Sequence, residues 1–340
     1  MNKETTAVVK ELLKSPKNIV VVGHKNPDGD AVGSCLGLGY FLSDSGHSVT
    51  VVMPNDYPGF LKWLPGTDAV VIYEKDNAAG SAAIEKADVI FTLDFNALNR
   101  TGDLHPLLEA ATADFVMIDH HQQPDDYAVA TYSDVSMCST SEMVYHFIDA
   151  LEATAAISGT IATCLYTGIM TDTGGSFRFS ASATTHRVVA HLIEKGAQNE
   201  LIHQQVYDTN SVDRLKLLGV ALNNLTILSQ YRTAYIALSQ KDLDDHNFKK
   251  GDTEGFVNYA LSVKNVVFAV IFIENKKDDI VKISFRSKGN FSVNEFARNH
   301  YSGGGHTNAA GGRSSQNLST TITEFIAILP DYKNALIHAS

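Results

Sequence analysis

Short apolar runs that end abruptly on polar or charged residues recur along the first half of the chain. Asn18 to Gly23, Ser48 to Met53, Ala87 to Asp94 and Phe115 to Asp119 are too short for typical helices and rich in β-branched and aromatic residues. They predict buried strands. Between and after them, helical patterns cover Ala31 to Ser45, Ala78 to Lys86, Ser139 to Leu151 and Ala155 to Ile169. Strand–helix alternation of this kind predicts a largely parallel sheet covered on both faces. From Ala183 to Asn223 the pattern is helical throughout, with Gly196 as a stop between two helices. A second set of strands is expected at Leu225 to Leu228, Thr233 to Leu238, Val266 to Glu274 and Ile280 to Arg286. Helical patterns recur near Asp252 to Ser262 and Val293 to His300. The expected fold class is therefore α/β. A parallel-sheet N-terminal domain (residues 1–182) is joined by a helical connector (183–223) to a smaller mixed α/β C-terminal domain (224–340).

The chemistry-bearing residues sit where the apolar runs stop. Pro27 and Gly29 forbid a continuous helix through Gly23-His24-Lys25-Asn26-Pro27-Asp28-Gly29-Asp30. The segment reads as a strand, a tight loop and a helix start, able to turn His24, Asp28 and Asp30 toward one point. Such residues are ligands for a hard or borderline divalent cation. Asp-Gly is also ordinary turn chemistry, and Asp at a helix start is an ordinary N-cap. What weighs against that plain reading is repetition. Asp94 ends the third run, Asp119-His120-His121 ends the fourth, and Asp172 follows the Ala155 to Ile169 stretch. In an open α/β sheet, ligands bind outside the carboxyl ends of the strands. Four aspartates and two histidines suit two divalent ions sharing one bridging carboxylate, the arrangement that promotes in-line phosphoryl displacement.

A second cluster lies near the C-terminus. Gly303, Gly304 and Gly305 allow backbone conformations closed to other residues and let main-chain N–H groups approach an anion. His306 adds a side-chain donor. Upstream, the alternating Ile280 to Phe285 runs into Arg286 and Ser287, and Arg286 is placed to grip phosphate bidentately. Phe177, Phe179 and Tyr301 lie near these segments. Core packing is the favoured reading for each, over stacking on bases.

The ordered set His24-x-x-x-Asp28-x-Asp30, Asp94, Asp119-His120-His121 and Asp172 resembles the DHH phosphoesterase superfamily in all four of its signature motifs. Gly303-Gly304-Gly305-His306-Thr307-Asn308-Ala309-Ala310-Gly311-Gly312 resembles the glycine-rich motif of the DHH-associated C-terminal domain. The combination is most similar to stand-alone bacterial nanoRNase and pAp-phosphatase proteins. The resemblance implies two manganese ions, with cobalt or magnesium as alternatives. His24, Asp28 and Asp94 would hold one; Asp30, Asp94, His120 and Asp172 would hold the other. It implies that His121 contacts the scissile phosphate, that Asp119 orients a neighbouring histidine, and that Arg286, Ser287, Gly303 to Gly305 and His306 bind substrate. The implied reaction is hydrolysis of short oligoribonucleotides or 3′-phosphoadenosine-5′-phosphate, by in-line attack of a hydroxide shared between the ions. The alternative is a linear or cyclic dinucleotide phosphodiesterase. Less favoured are a RecJ-type single-strand exonuclease, an exopolyphosphatase and a non-catalytic nucleotide-binding regulator. Homodimers are common in the family.

Composition narrows the substrate. The formal net charge of −11 argues against a broad basic footprint for long duplex nucleic acid, so a dinucleotide, bisphosphate or very short RNA is expected. Cys35, Cys138 and Cys164 are odd in number and lie in apolar surroundings, and so read as reduced residues of a cytoplasmic protein. No secretory signal is visible near the N-terminus, and no membrane span is expected.

Overall fold

The computed structural model describes all residues except 176, 178, 179 and 340. The chain divides into two compact units, Met1–Thr209 and Asn210–Ser340. The division falls inside the helical stretch that follows Ala183.

The first unit is built on six parallel strands: β1 (Asn18–Val22), β2 (Ser48–Met53), β3 (Val71–Ile72), β4 (Val89–Leu93), β5 (Asp114–Asp119) and β6 (Ala130–Ser133). Their spatial order is β3-β2-β1-β4-β5-β6. Alternate residues of one strand enter different cores. Ile19 and Val21 join one cluster with Phe91, Leu93 and Ile118, while Val20 and Val22 join another with Ile90 and Phe115. Burial on both faces is why these strands read as continuous apolar runs. The order reverses between β1 and β4: the chain first winds from β1 toward β3, then from β4 toward β6. That reversal is a topological switch point, where the connections diverge and leave a crevice at the strand carboxyl ends.

Two helices, Gly29–Asp44 and Gly159–Asp172, pack tightly beside this crevice. Gly168 makes the approach possible, because a Cβ there would lie 1.9 Å from Ser141 Oγ and 2.9 Å from Asp30 Oδ1. The stretch expected as one helix from Ala155 begins instead with a short 3-10 turn, Thr154–Ala156. Ser158 then caps the α-helix by accepting from Ile161 N. Asp172 is consequently the last residue of a helix. The Ala183 to Asn223 stretch forms three helices rather than two: Ala183–Glu194, Asn199–Tyr207 and Val212–Asn223. The extra break arises where Ser211 caps the third helix by accepting from Arg214 N.

The second unit carries a mixed sheet of β7 (Thr226–Leu228), β8 (Thr233–Leu238), β9 (Phe268–Asn275), β10 (Ile280–Ser287), β11 (Gly304–Gly305) and β12 (Ala309–Ser314). The order is β11-β12-β10-β9-β8-β7, with β8 and β9 parallel and the other neighbours antiparallel. The glycine-rich segment is therefore part of the sheet, not an open loop. The long helix Leu318–His338 was not foreseen from the sequence; it contains Pro330 and buries Phe325, Leu329 and Leu336. Phe268, Phe285, Phe296 and Phe325 form the aromatic centre of this unit. Tyr301 packs there too, in keeping with the core reading, and Phe177 packs edge-on against Tyr166. Phe179 lies outside the described residues.

Candidate metal centre

The carboxyl ends of β1, β4 and β5 supply most of the candidate ligands. After β1, His24 is nearly buried, and its Nδ1 lies 2.9 Å from Lys25 O. A carbonyl only accepts, so Nδ1 carries a proton and Nε2 is the remaining ligand atom. Nε2 lies 3.4 Å from Asp94 Oδ2 and 3.9 Å from Asp28 Oδ1. Asp28 is also the N-cap of helix Gly29–Asp44, accepting from Asp30 N and Ala31 N.

Asp94 follows β4 with a φ of +66°, a conformation that a side-chain-bearing residue adopts only at a cost. Its N–H still donates to Ile118 O, so the strand ladder holds the strained residue in place. At the end of β5, His120 repeats the logic of His24. Its Nδ1 faces Met137 O at 3.2 Å. Its Nε2 lies 3.4 Å from Asp94 Oδ1, 3.7 Å from Asp172 Oδ2 and 3.9 Å from Asp30 Oδ2. Asp94 thus turns one oxygen to each of two histidines.

The side chains fall into two groups whose ligand atoms lie within 4.8 Å of one another: His24, Asp28 and Asp94, and Asp30, His120 and Asp172. A third such group is Asp94, Asp119 and His121. There, fully buried Asp119 binds His121 twice, through Nδ1 at 2.7 Å and the main-chain N–H at 3.1 Å. These two contacts fix the orientation of the His121 ring.

Spacing and charge both suit cations. Donors bound at about 2.1 Å to one ion, at angles of roughly 90–120°, stand about 3.0–3.6 Å apart. The observed 3.4–3.9 Å separations overlap that range, extend slightly beyond it, and are longer than ordinary hydrogen bonds. The protonation of these side chains by themselves points the same way. Burial raises the Asp30 carboxyl well above the usual range, and the charges of Asp94 and Asp172 raise it further. Burial also lifts Asp172, to about 6, with Asp28 and Asp94 adding to the rise against His120. Burial alone would lower the His24 pKa. Close contact with Asp94 and the charges of Asp28 and Asp94 outweigh it and hold the imidazolium to about pH 9. Protons are retained where carboxylates crowd, and divalent cations would replace them.

Two residues absent from the sequence reading complete this centre. Thr140 N and Ser141 N donate to the two oxygens of Asp30, at 2.6 and 2.8 Å, and Thr140 Oγ1 donates to Asp94 Oδ1 at 3.0 Å. The only sequence signal is the Ser139-x-x-Glu142 cap pattern at the start of helix Thr140–Ala150.

In the second unit, Arg286 lies on β10 beside Ser287. Arg286 Nη1 donates to Phe285 O. Ser287 Oγ is buried, donating to Phe291 O at 2.6 Å and accepting from Asn308 Nδ2 at 2.8 Å. The expectation of main-chain N–H groups held open to an anion meets a different arrangement. Gly303 N donates to Ala297 O, Gly305 N to Asn294 Oδ1 and His306 N to Ala309 O. The helix Val293–His300 takes two of these donors, and the turn between β11 and β12 takes the third. A Cβ on Gly303 would stand 2.0 Å from Gly311 O, so the glycine permits close strand pairing.

Among the described residues, no helix is long and apolar enough to cross a membrane. Cys35, Cys138 and Cys164 are free and buried.

The comparisons with known proteins agree with this layout. Residues 18–169 match the model of the DHH family, N-terminal domain, and residues 230–333 match the DHHA1 domain. The chain is 31% identical over 314 residues to the bifunctional oligoribonuclease and PAP phosphatase NrnA of Thermus thermophilus, covering 91% of this chain and 88% of the relative. It is 27% identical to the protein of the same name from Bacillus subtilis, covering 86% and 88% respectively. A crystal structure of an exopolyphosphatase-related protein from Bacteroides fragilis superposes with a TM-score of 0.94 at 37% identity, covering 99% of this chain and 98% of that one. Together with the motif residues gathered at the strand ends, these matches identify the chain as a member of the DHH phosphoesterase family, a metal-dependent phosphoesterase with a DHH-associated C-terminal domain.

Proposed function

We propose that the chain is a manganese-dependent phosphoesterase that hydrolyses short oligoribonucleotides and 3′-phosphoadenosine-5′-phosphate. The observation that carries this reading is the divided carboxylate of Asp94, whose Oδ2 lies 3.4 Å from His24 Nε2 and whose Oδ1 lies 3.4 Å from His120 Nε2. A carboxylate so placed suits a bridge between two cations. His24, Asp28 and Asp94 would hold one; Asp30, Asp94, His120 and Asp172 would hold the other. When bound, two divalent cations supply Lewis acidity toward the phosphoryl oxygens and lower the pKa of an attacking water.

The remaining chemistry belongs to the chain's own side chains. His121, oriented by Asp119, donates to a phosphoryl oxygen as negative charge develops there. Asp119 keeps the imidazole in one tautomer, as carboxylates behind catalytic histidines do. Arg286 and His306 bind a second phosphate or the oligonucleotide end. Ser287 and Gly303 to Gly305 serve that binding by shaping the strands that carry those side chains. The substrate class is supported by the named activities of relatives aligned over most of their length. The net charge of −11 favours small substrates over long nucleic acid.

A turnover assay with added manganese and a chelator control tests the proposal. The panel is 3′-phosphoadenosine-5′-phosphate, oligoribonucleotides of two to five residues, a cyclic dinucleotide and pyrophosphate. Turnover of the bisphosphate and the shortest RNAs is expected. Turnover confined to the cyclic dinucleotide would instead assign the chain to second-messenger hydrolysis.

A further inference from the structure

The start of helix Thr140–Ala150 is spent in an unusual way. Ser139 caps it by accepting from Glu142 N at 3.0 Å, which leaves the N–H groups of Thr140 and Ser141 unsatisfied by the helix itself. Both are given to Asp30, one to each carboxylate oxygen, at 2.6 and 2.8 Å. The Thr140 hydroxyl, fully buried, reaches a different carboxylate, Asp94 Oδ1, at 3.0 Å. One residue therefore holds Asp30 with its main chain and Asp94 with its side chain. Those aspartates come from different segments, Asp30 from the first turn of helix Gly29–Asp44 and Asp94 from the end of β4.

The consequence concerns rotation. A carboxylate turns easily about its last side-chain bond, because that torsion has a broad, roughly two-fold profile. Asp94 serves both groups only while Oδ2 faces His24 and Oδ1 faces His120. The two histidines contact Asp94 at 3.4 Å, too far to lock its plane, whereas the Thr140 hydroxyl bonds it at 3.0 Å. The positive end of the helix also offsets the repulsion between Asp30 and Asp94.

We propose that Thr140 is a positioning residue that sets the plane of Asp94, so that its carboxylate is ready to bridge two cations before either is bound. This deepens, and rests on, the two-cation reading of the site. Thr140 would touch neither substrate nor the reacting atoms. Its effect would appear in the affinity for the second of two cations, because an Asp94 free to rotate can still serve one ion but must be fixed to serve both.

The test is calorimetric titration of manganese chloride into chelator-stripped protein, with thermal melting of the same stripped samples. Wild type is expected to bind two ions per chain. Thr140→Val keeps the shape and removes the hydroxyl; the second ion should bind on the order of tenfold more weakly, as when other groups that orient metal ligands are removed. Thr140→Ala is carried alongside because it presents no extra methyl to the buried site. Thr140→Ser should restore wild-type affinity. Equal two-ion binding by wild type and by folded Thr140→Val or Thr140→Ala would overturn the assignment, as would failure of serine to restore affinity. Absence of manganese binding by wild type would instead defeat the two-cation reading, which separates the two failures.

Discussion

The strand ends of the first unit and the glycine-rich strands of the second were both marked by motifs, yet they use their residues in opposite ways. At β1, β4 and β5 the motif side chains face one another across 3.4–3.9 Å, and neighbouring main-chain groups hold them there. At β11 and β12 the motif backbone is consumed by pairing, Gly304 with Gly311 and Gly305 with Ala310. The first region concentrates charge; the second concentrates close approach. The lesson is that a glycine run beside a histidine does not make an anion cradle unless its N–H groups are left undonated. The proposed substrate contacts of the second region are therefore side chains, Arg286 and His306, rather than main-chain N–H groups.

The largest expected effect falls on the first region. Asp94→Ala should lower turnover of every phosphoester by several orders of magnitude, because it removes the carboxylate proposed to serve both cations, and it should leave fewer than two manganese ions bound per chain. Near-normal turnover in that variant would break the comparison at its stronger end.

Acidity should divide the two regions next. A cation must displace the protons held by His24 up to about pH 9 and by Asp172 up to about 6. Manganese affinity should therefore rise with pH toward 9 and fall steeply below about 6, where Asp172 is protonated as well. At pH 7, binding should release protons, seen as a dependence of the calorimetric heat on the ionisation enthalpy of the buffer. Proton-free binding would mean that His24 is not displaced from its imidazolium form.

Arg286→Ala should be milder. It should raise KM about tenfold for substrates with a second phosphate, the scale of a lost charge-assisted hydrogen bond, and leave kcat and manganese affinity nearly unchanged. An unchanged KM in folded protein would remove the second unit from substrate binding.

Glycine replacements sharpen the contrast at the level of stability. Gly303→Ala should cost about 1–3 kcal/mol through overpacking against Gly311 O, with manganese affinity intact. Gly168→Ala, pressed against Ser141 Oγ and Asp30 Oδ1, should lower both the melting temperature and manganese affinity. The smallest effect is expected from Ser287→Ala, about 1 kcal/mol for the hydroxyl's hydrogen bonds to Phe291 O and Asn308, read from denaturant unfolding.

Much of this was legible in the sequence for a simple reason. Strands buried on both faces must be apolar throughout, so a charged residue at the end of such a run is conspicuous. Asp94 and Asp119-His120-His121 stand out in that way. Thr140 does not. Ser139-Thr140-Ser141-Glu142 reads as an ordinary helix start, and its partner Asp30 lies 110 residues earlier in the chain. No strand was expected at β11 or β12, because glycine and alanine have low strand propensity; the pairing of β12 with β10 is imposed by register, Ala310 opposite Phe285 and Gly311 opposite Ser284. The break at Ser211 was hidden because serine is tolerated inside helices as well as at caps.

The sequence alone determined the α/β class, the alternation that makes a parallel sheet, and the identity of the aspartates and histidines at its strand ends. These follow from local rules, since periodicity, chain-breaking residues and the cost of buried charge act over a few residues. Tertiary structure alone decided that Asp94 turns one oxygen toward each of two histidines, which histidine Asp119 binds, that Thr140 spans Asp30 and Asp94, and that Gly303 and Gly305 give their N–H groups to the helix Val293–His300. Those outcomes depend on strand order and on which donors arrive from distant segments, and spacing along a chain carries no record of either.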